Sequence, residues 1–191
     1  MSSALVERLR RAVDPAPSTV DAPPGRRPAA VLILADPRND RVPLLFIVRS
    51  EALRHHAGQI AFPGGGFDAF ETNPVSVALR EAQEEVGLQS ANVEILGSLP
   101  TFDTMVSHRW LTPVVGLMRE GWEIQPDAVE VADWFWIDLA AIMDAPHEVL
   151  EGQRDGEHRT VHFIHVDGQI IWGVTGAIVA ELVDRIGEGC G

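Results

Sequence analysis

The chain has 191 residues, 46% of them hydrophobic, and a formal net charge of −13. That size fits one domain with a short appendage, and that apolar content fits a folded globule rather than a disordered chain. The acidic balance argues against a nucleic-acid-binding surface, which would be basic, but not against a small phosphorylated substrate approached through bridging cations. The single cysteine, Cys190, has no intrachain partner for a disulfide. No apolar run nears the roughly 20 residues of a membrane span, and the N-terminal stretch does not read as a signal peptide. A soluble cytoplasmic protein with no membrane partner is the expectation.

Residues 3–14 carry the pattern of a short amphipathic helix, and residues 15–28 are proline-rich, a linker or a draped arm. Residues 1–27 are therefore set apart from a main domain over 28–191. The helix and arm offer a surface on which a second subunit could pack, which leaves a homodimer open. Two continuous apolar runs follow, 29–34 and 44–48, with Asp36-Pro37-Arg38-Asn39-Asp40 between them. They read as strand, turn, strand, with both strands well buried. A helix comes next: Asn73 can cap its N-terminus, Pro74 suits its first position, and Gly87 fits the residue just past its end. Val75, Leu79, Ala82 and Val86 fall on one face at helical spacing. Strands are expected at 93–99, 111–117 and 133–137, then a pair at 160–165 and 169–172 turning at Asp167-Gly168, and a closing helix over 174–186. Strands before and after a central helix, with another helix at the end, suggest an α/β fold with a mixed sheet between helical layers.

The central helix carries the chemistry. Arg80-Glu81-Ala82-Gln83-Glu84-Glu85 sets three carboxylates within one turn and a half. At about 100° per residue, Glu81 and Glu85 lie about 40° apart, and Glu84 about 60° from Glu81. Glu81 and Glu85 then flank the apolar stripe at the boundary of core and solvent, as a clamp for a hard cation. Glu84 lies within reach of a second ion or a water, and Arg80 stands one turn before Glu84 as its partner. Taken alone, such a run is most often a solvated helix surface. The loop upstream, Phe62-Pro63-Gly64-Gly65-Gly66, adds weight to the metal reading, because glycines can take positive φ and let backbone approach a ligand closely. Taken alone, the loop is an ordinary tight turn.

Loop and helix together resemble the Nudix box: Gly, five residues, Glu, seven residues, Arg-Glu, an apolar residue, any residue, Glu-Glu, any residue, Gly, apolar. The second half stands complete as Arg80 through Leu88. The first half fits with Gly65 and Glu71, except that eight residues rather than seven separate Glu71 from Arg80. Arg49-Ser50, three residues, Arg54, three residues, Gly58, three residues, then Phe62-Pro63-Gly64-Gly65 is similar to the signature that precedes the box in coenzyme A diphosphatases. The resemblance implies a Nudix-type α/β/α sandwich and Mg²⁺- or Mn²⁺-dependent hydrolysis of the diphosphate of coenzyme A to 3′,5′-ADP and 4′-phosphopantetheine. It implies Glu81 and Glu85 as the main metal ligands, with Glu84 as a further ligand or a catalytic base. Glu130 is the other candidate base, because a later loop often supplies one in this family. Arg49 and Arg54, with Gly64 and Gly65, are the expected substrate-binding residues, since arginine suits bidentate phosphate contact. His55 and His56 could assist, and Phe102, Met105 and Trp110 could line a pantetheine groove. A Nudix enzyme acting on NADH, ADP-ribose or a nucleoside triphosphate is the second reading, and a non-catalytic nucleotide sensor the third. A complete set of box carboxylates with Arg80 speaks for an enzyme.

Overall fold

The computed structural model describes residues 4–51, 58–104, 107–119, 122–154 and 157–188. A mixed sheet forms its centre. Strand β1 (Arg27–Ala35) is the spine, parallel to β7 (Arg109–Met118) from Arg27 opposite Arg109 to Ala35 opposite Leu117. β2 (Pro43–Arg49) turns back from β1 and carries β3 (Ile60–Ala61) and β8 (Val131–Asp138) antiparallel to it. β4 (Gly64–Gly66) pairs with β1, while β5 (Val93–Ser98) and β6 (Phe102–Thr104) pair with β7. Side chains alternate across a strand, and β1 uses that alternation on both faces. Ala30, Leu32 and Leu34 pack with Val77, Ala78, Ala82 and Val86 of α2 (Pro74–Val86). Ala29, Ile33 and Ala35 face α1 (Ala4–Arg11), α3 (Leu139–Asp144) and α4 (Gly173–Glu188) through Val6, Leu9, Leu139, Ile142, Ile178 and Leu182. This is the expected α/β architecture, with helices on both faces of a mixed sheet.

Two features differ from the expectation. The strand pair near the C-terminus is a three-stranded sheet, β9 (His147–Arg154), β10 (Glu157–Val166) and β11 (Gln169–Trp172), because β9 pairs along β10 from His147 opposite Ile164. β9 is exposed and mixes apolar with charged residues, so it lacks the pattern of a buried strand. Asp167 and Gly168 do form the hairpin turn, with φ of 50° and 76°. The N-terminal helix is shorter than expected and is docked on its own chain. Val6 and Leu9 lie in the core, Arg8 Nη2 donates to the Ile186 carbonyl at 3.1 Å, and Arg185 pairs with Asp14 at 2.9 Å. Its apolar face is thereby used within the subunit. Among the described residues, no helix is long and apolar enough to cross a membrane.

α2 has the ends its sequence calls for. Asn73 Oδ1 accepts from the Val75 N–H at 2.8 Å and from the Ser76 N–H at 3.4 Å, and Pro74 takes the first helical position. Gly87 is left-handed (φ 74°), and the N–H groups of Gly87 and Leu88 close on the carbonyls of Gln83 and Ala82 at 3.0 and 3.3 Å. Three further carbonyls are capped from a later segment: Asp127 N–H donates to Glu85 O at 2.9 Å, Gln125 N–H to Val86 O at 3.0 Å, and Trp122 Nε1 to Gly87 O at 3.1 Å. A helix end with unsatisfied carbonyls thus becomes the anchor of the 122–130 segment. Removing the N-cap in Asn73→Ala is expected to cost about 1 kcal/mol of stability, read as a lower denaturation midpoint at unchanged slope. An unchanged midpoint would show that the cap carries none of the helix's stability.

Candidate active site

The α2 face turned toward the sheet is rotated from the one the apolar spacing suggests. Val77, Ala78, Ala82 and Val86 are fully buried, whereas Val75 and Leu79 are only partly so. Glu85 shares this buried face, at 1% exposure, rather than standing at the core boundary. A lone carboxylate cannot be buried without donors, and two are supplied. The Gly64 N–H donates to Oε2 at 2.8 Å, and Arg49 Nη1 to Oε1 at 3.3 Å. Burial still dominates and raises the Glu85 carboxyl to about 8. Gly64 and Arg49 oppose that shift, and the nearby charges of Glu81 and Glu130 add to it.

Glu81 lies one turn earlier and points at the glycine strand. A Cβ on Gly65 would run into the Glu81 carboxylate, and one on Gly64 would run into the β1 backbone at Ala30 and Val31. The glycines therefore do not make the turn that their sequence suggests. They form β4, an extended strand whose missing side chains let β1 approach on one side and Glu81 on the other. Burial is the main influence raising the Glu81 carboxyl; Arg80 opposes it, and Glu84 and Glu130 reinforce it. Glu84, on the open side of the helix, is 55% exposed and meets Arg80 at 3.2 Å.

Arg80 binds more than Glu84. Its Nε and Nη2 reach the two carboxylate oxygens of Glu71, each at 3.0 Å, Nη1 reaches Glu81 at 2.9 Å, and Nη2 also donates to the Gly66 carbonyl at 3.0 Å. The paired contact to Glu71, above all, drives the guanidinium pKa up and the Glu71 carboxyl down. Glu71 thus stands outside the carboxylate cluster as the clamp on Arg80. The extra residue between them does not separate the pair.

The upstream signature is connected to the same cluster. Arg49 ends β2 against Glu85. The Ser50 N–H donates to the Glu130 carbonyl at 2.9 Å, and the Gly58 N–H to the Arg49 carbonyl at 2.9 Å. Glu130 is held from its own side by its N–H to the Asp127 carbonyl at 3.1 Å. It is close enough to raise both Glu81 and Glu85, whereas Glu84 bears on Glu81 alone. The expected residues Glu81, Glu85, Glu84, Arg80, Glu130, Arg49, Gly64 and Gly65 are thus in one region. Arg54, with His55, His56, Met105 and Cys190, lies outside the described residues. Phe102 packs against the core and Trp110 is partly buried. Arg109, which no motif marks, brings its guanidinium over Gly66.

Among the described residues, no three acidic, histidine or cysteine side chains already enclose a single ion. Glu81 is turned to Arg80, and Glu85 to Arg49 and Gly64. The donor set nevertheless fits a hard divalent cation: all-oxygen side chains, with Glu81 and Glu85 partly desolvated and raised further by neighbouring carboxylates, Glu81 by Glu84 and Glu130, and Glu85 by Glu81 and Glu130. Such mutual repulsion is what a bound cation relieves.

The metal-free protein carries a testable cost. Below about pH 4.5 Glu85 is protonated whether folded or not. Between there and about 8 the unfolded chain releases a proton that the folded chain keeps, so rising pH favours unfolding. In the presence of a chelator, the wild-type melting temperature should fall relative to Glu85→Gln as pH rises from 5 to 8. Parallel melting curves across that range would contradict the buried, proton-holding carboxyl.

Comparison with known proteins agrees with this geometry. The NUDIX domain profile matches residues 25–159. The Nudix hydrolase NudL of Citrobacter koseri is 39% identical over 163 residues, covering 85% of this chain and 84% of that protein. NudL of Photorhabdus laumondii is 34% identical over 187 residues, covering 96% and 97%. Among solved structures, the Nudix hydrolase RenU of M. smegmatis has a TM-score of 0.51 at 26% identity, over 63% of this chain and 75% of that one. The MutT protein of Methanosarcina mazei has a TM-score of 0.55 at 16% identity, over 90% and 98%, a likeness of fold alone. The chain belongs to the Nudix hydrolase family, and with it to the pyrophosphohydrolases.

Proposed function

We propose that the protein hydrolyses the diphosphate bond of coenzyme A or a derivative of it, with Mg²⁺ or Mn²⁺, to 3′,5′-ADP and 4′-phosphopantetheine. The observation that carries this reading is the continuity between the segment resembling the coenzyme A diphosphatase signature and the carboxylate cluster. Arg49 contacts Glu85, Ser50 holds the Glu130 carbonyl, and the Gly64 N–H contacts Glu85. A segment whose residue pattern points to the substrate is thereby built into the same site as the hydrolytic groups.

In this reading Glu81 and Glu85 are the main metal ligands, and Glu84 is a further one. A bound divalent ion would neutralise the diphosphate, acidify a water and stabilise charge on the leaving phosphate. Glu130 is favoured over Glu84 as the base, because it bears on both ligand carboxylates whereas Glu84 is tied to Arg80 at the surface. It would take the proton from water as the water oxygen attacks one phosphorus and the bridging P–O bond breaks. Arg80, fixed by Glu71, orients Glu81 and the Gly66 carbonyl. Arg49 serves a phosphate when Glu85 turns to the metal, and Arg54 is assigned a second phosphate contact from its place in the signature.

The purified protein with coenzyme A and either metal should release 3′,5′-ADP, and should do so faster than it hydrolyses NADH, ADP-ribose or a nucleoside triphosphate. Glu81→Gln and Glu85→Gln should each lower kcat at least about a hundredfold while staying folded, as loss of a metal ligand does. Absence of 3′,5′-ADP with both metals would remove the substrate assignment, and full activity in either variant would remove the clamp.

A further inference from the structure

Strand β7 begins beside β1 with an arginine opposite an arginine: Arg109 is the register partner of Arg27. Like charges directly opposite each other are unfavourable, and this pair is not well compensated. The Arg109 backbone is engaged, its N–H donating to Thr104 Oγ1 at 2.8 Å and its carbonyl accepting from the same hydroxyl at 3.1 Å. Its guanidinium, partly buried, makes no hydrogen bond or ion pair with any described residue. Among the described residues the Arg27 guanidinium has one long contact, from Nη2 to the Ser107 carbonyl at 3.4 Å. The neighbouring Arg26 is paired with Asp103 at 2.5 and 3.0 Å, which uses the local acid. Burial first, and Arg27 second, pull the Arg109 pKa down, with Glu81 opposing. Arg109 and Glu81 thus sense each other across β4 without forming an ion pair.

The glycine strand makes room for this guanidinium. A Cβ on Gly66 would stand 2.5 Å from Arg109 Nη1, just as one on Gly65 would meet Glu81. Successive glycines therefore expose the acidic cluster on one side and an unpaired arginine on the other. A half-buried guanidinium beside a second arginine, in a chain of net charge −13, is left without an anion among the described residues.

We infer that Arg109, backed by Arg27, is a phosphate-receiving subsite that anchors the substrate across β4 from the carboxylate cluster. The inference rests on the reading of the site as a diphosphate hydrolase and adds a residue that neither the Nudix box nor the upstream signature contains. The phosphate has two sources in coenzyme A, the diphosphate and the ribose 3′-phosphate, and the same guanidinium chemistry serves either.

The test uses the full chain and the variants Arg109→Ala, Arg109→Lys and Arg27→Gln, with coenzyme A, 3′-dephospho-coenzyme A and ADP-ribose as substrates. Arg109→Ala should raise KM about ten- to a hundredfold, as loss of a charge-assisted contact does, with kcat changed less than about threefold. Arg109→Lys should recover part of the loss, and Arg27→Gln should show a smaller rise. A rise confined to coenzyme A assigns the ribose phosphate; an equal rise for all three assigns the diphosphate. Calorimetry with 3′,5′-ADP and with AMP gives a readout independent of turnover, and there Arg109→Ala and Arg109→Lys should both bind more weakly than wild type. If wild type turns over ADP-ribose but not coenzyme A, the substrate reading fails while the subsite is still tested on ADP-ribose. Unchanged KM for every substrate and unchanged nucleotide affinity in the folded variants would overturn the subsite.

Discussion

The structure depends on one buried carboxylate. Glu85 sits at 1% exposure on the face of a helix that otherwise meets the sheet through aliphatic side chains. Removing a carboxylate from water is costly unless donors or a cation replace the lost hydration. Here the donors come from two separate stretches of chain, the Gly64 N–H of β4 and Arg49 at the end of β2. β4 can lie so close to β1 and the helix only because its residues lack side chains. The arrangement of the glycine strand, the end of β2 and the helix around one carboxyl is therefore a single constraint.

That constraint explains how distant segments reach one place. The C-terminal carbonyls of α2 need partners, and the 122–130 segment supplies them with the N–H groups of Gln125 and Asp127 and the Trp122 indole. Once anchored there, the segment brings Glu130 to the strand end that also carries Ser50 and Arg49. Arg80 binds the cluster from the other side, holding Glu71, Glu81, Glu84 and the Gly66 carbonyl together. The site thus has one deep carboxyl held by the strands, one shallower carboxyl held by Arg80, and a third on a loop capped onto the helix. Without a cation the neighbouring carboxylates add to the raised pKa of Glu81 and of Glu85, so ligand binding and local stability draw on the same repulsion.

Much of this was legible in the sequence, and the exceptions have physical causes. Asn73, Pro74 and Gly87 announce the helix because capping is local chemistry, and the structure has those caps. Glu81, Glu84 and Glu85 were readable as a cluster from spacing alone. The depth of Glu85 was not, because it depends on donors 21 and 36 residues away. The glycines were read as permissive in φ, and Gly64 does take a positive φ of 159°, but β4 also uses them for close packing, a tertiary fact that no local pattern carries. Glu71 looked out of register by one residue, yet side-chain reach absorbs one residue, and it binds Arg80 through both oxygens. Arg109 was invisible because its significance lies in what its guanidinium lacks, a partner among the described residues, and that becomes apparent only when β1 and β7 are side by side. β9 was missed because an exposed strand with mixed polarity carries no burial pattern.

Glu85, with Glu81 beside it, is proposed to be buried to meet a cation. Calorimetric titration of Mn²⁺ into the metal-free full chain, in parallel with Glu85→Gln, tests it most directly. Saturable Mn²⁺ binding by the wild-type protein is expected, lost or weakened at least about tenfold in the folded variant. Mn²⁺ binding of the same affinity and stoichiometry in both proteins would contradict it.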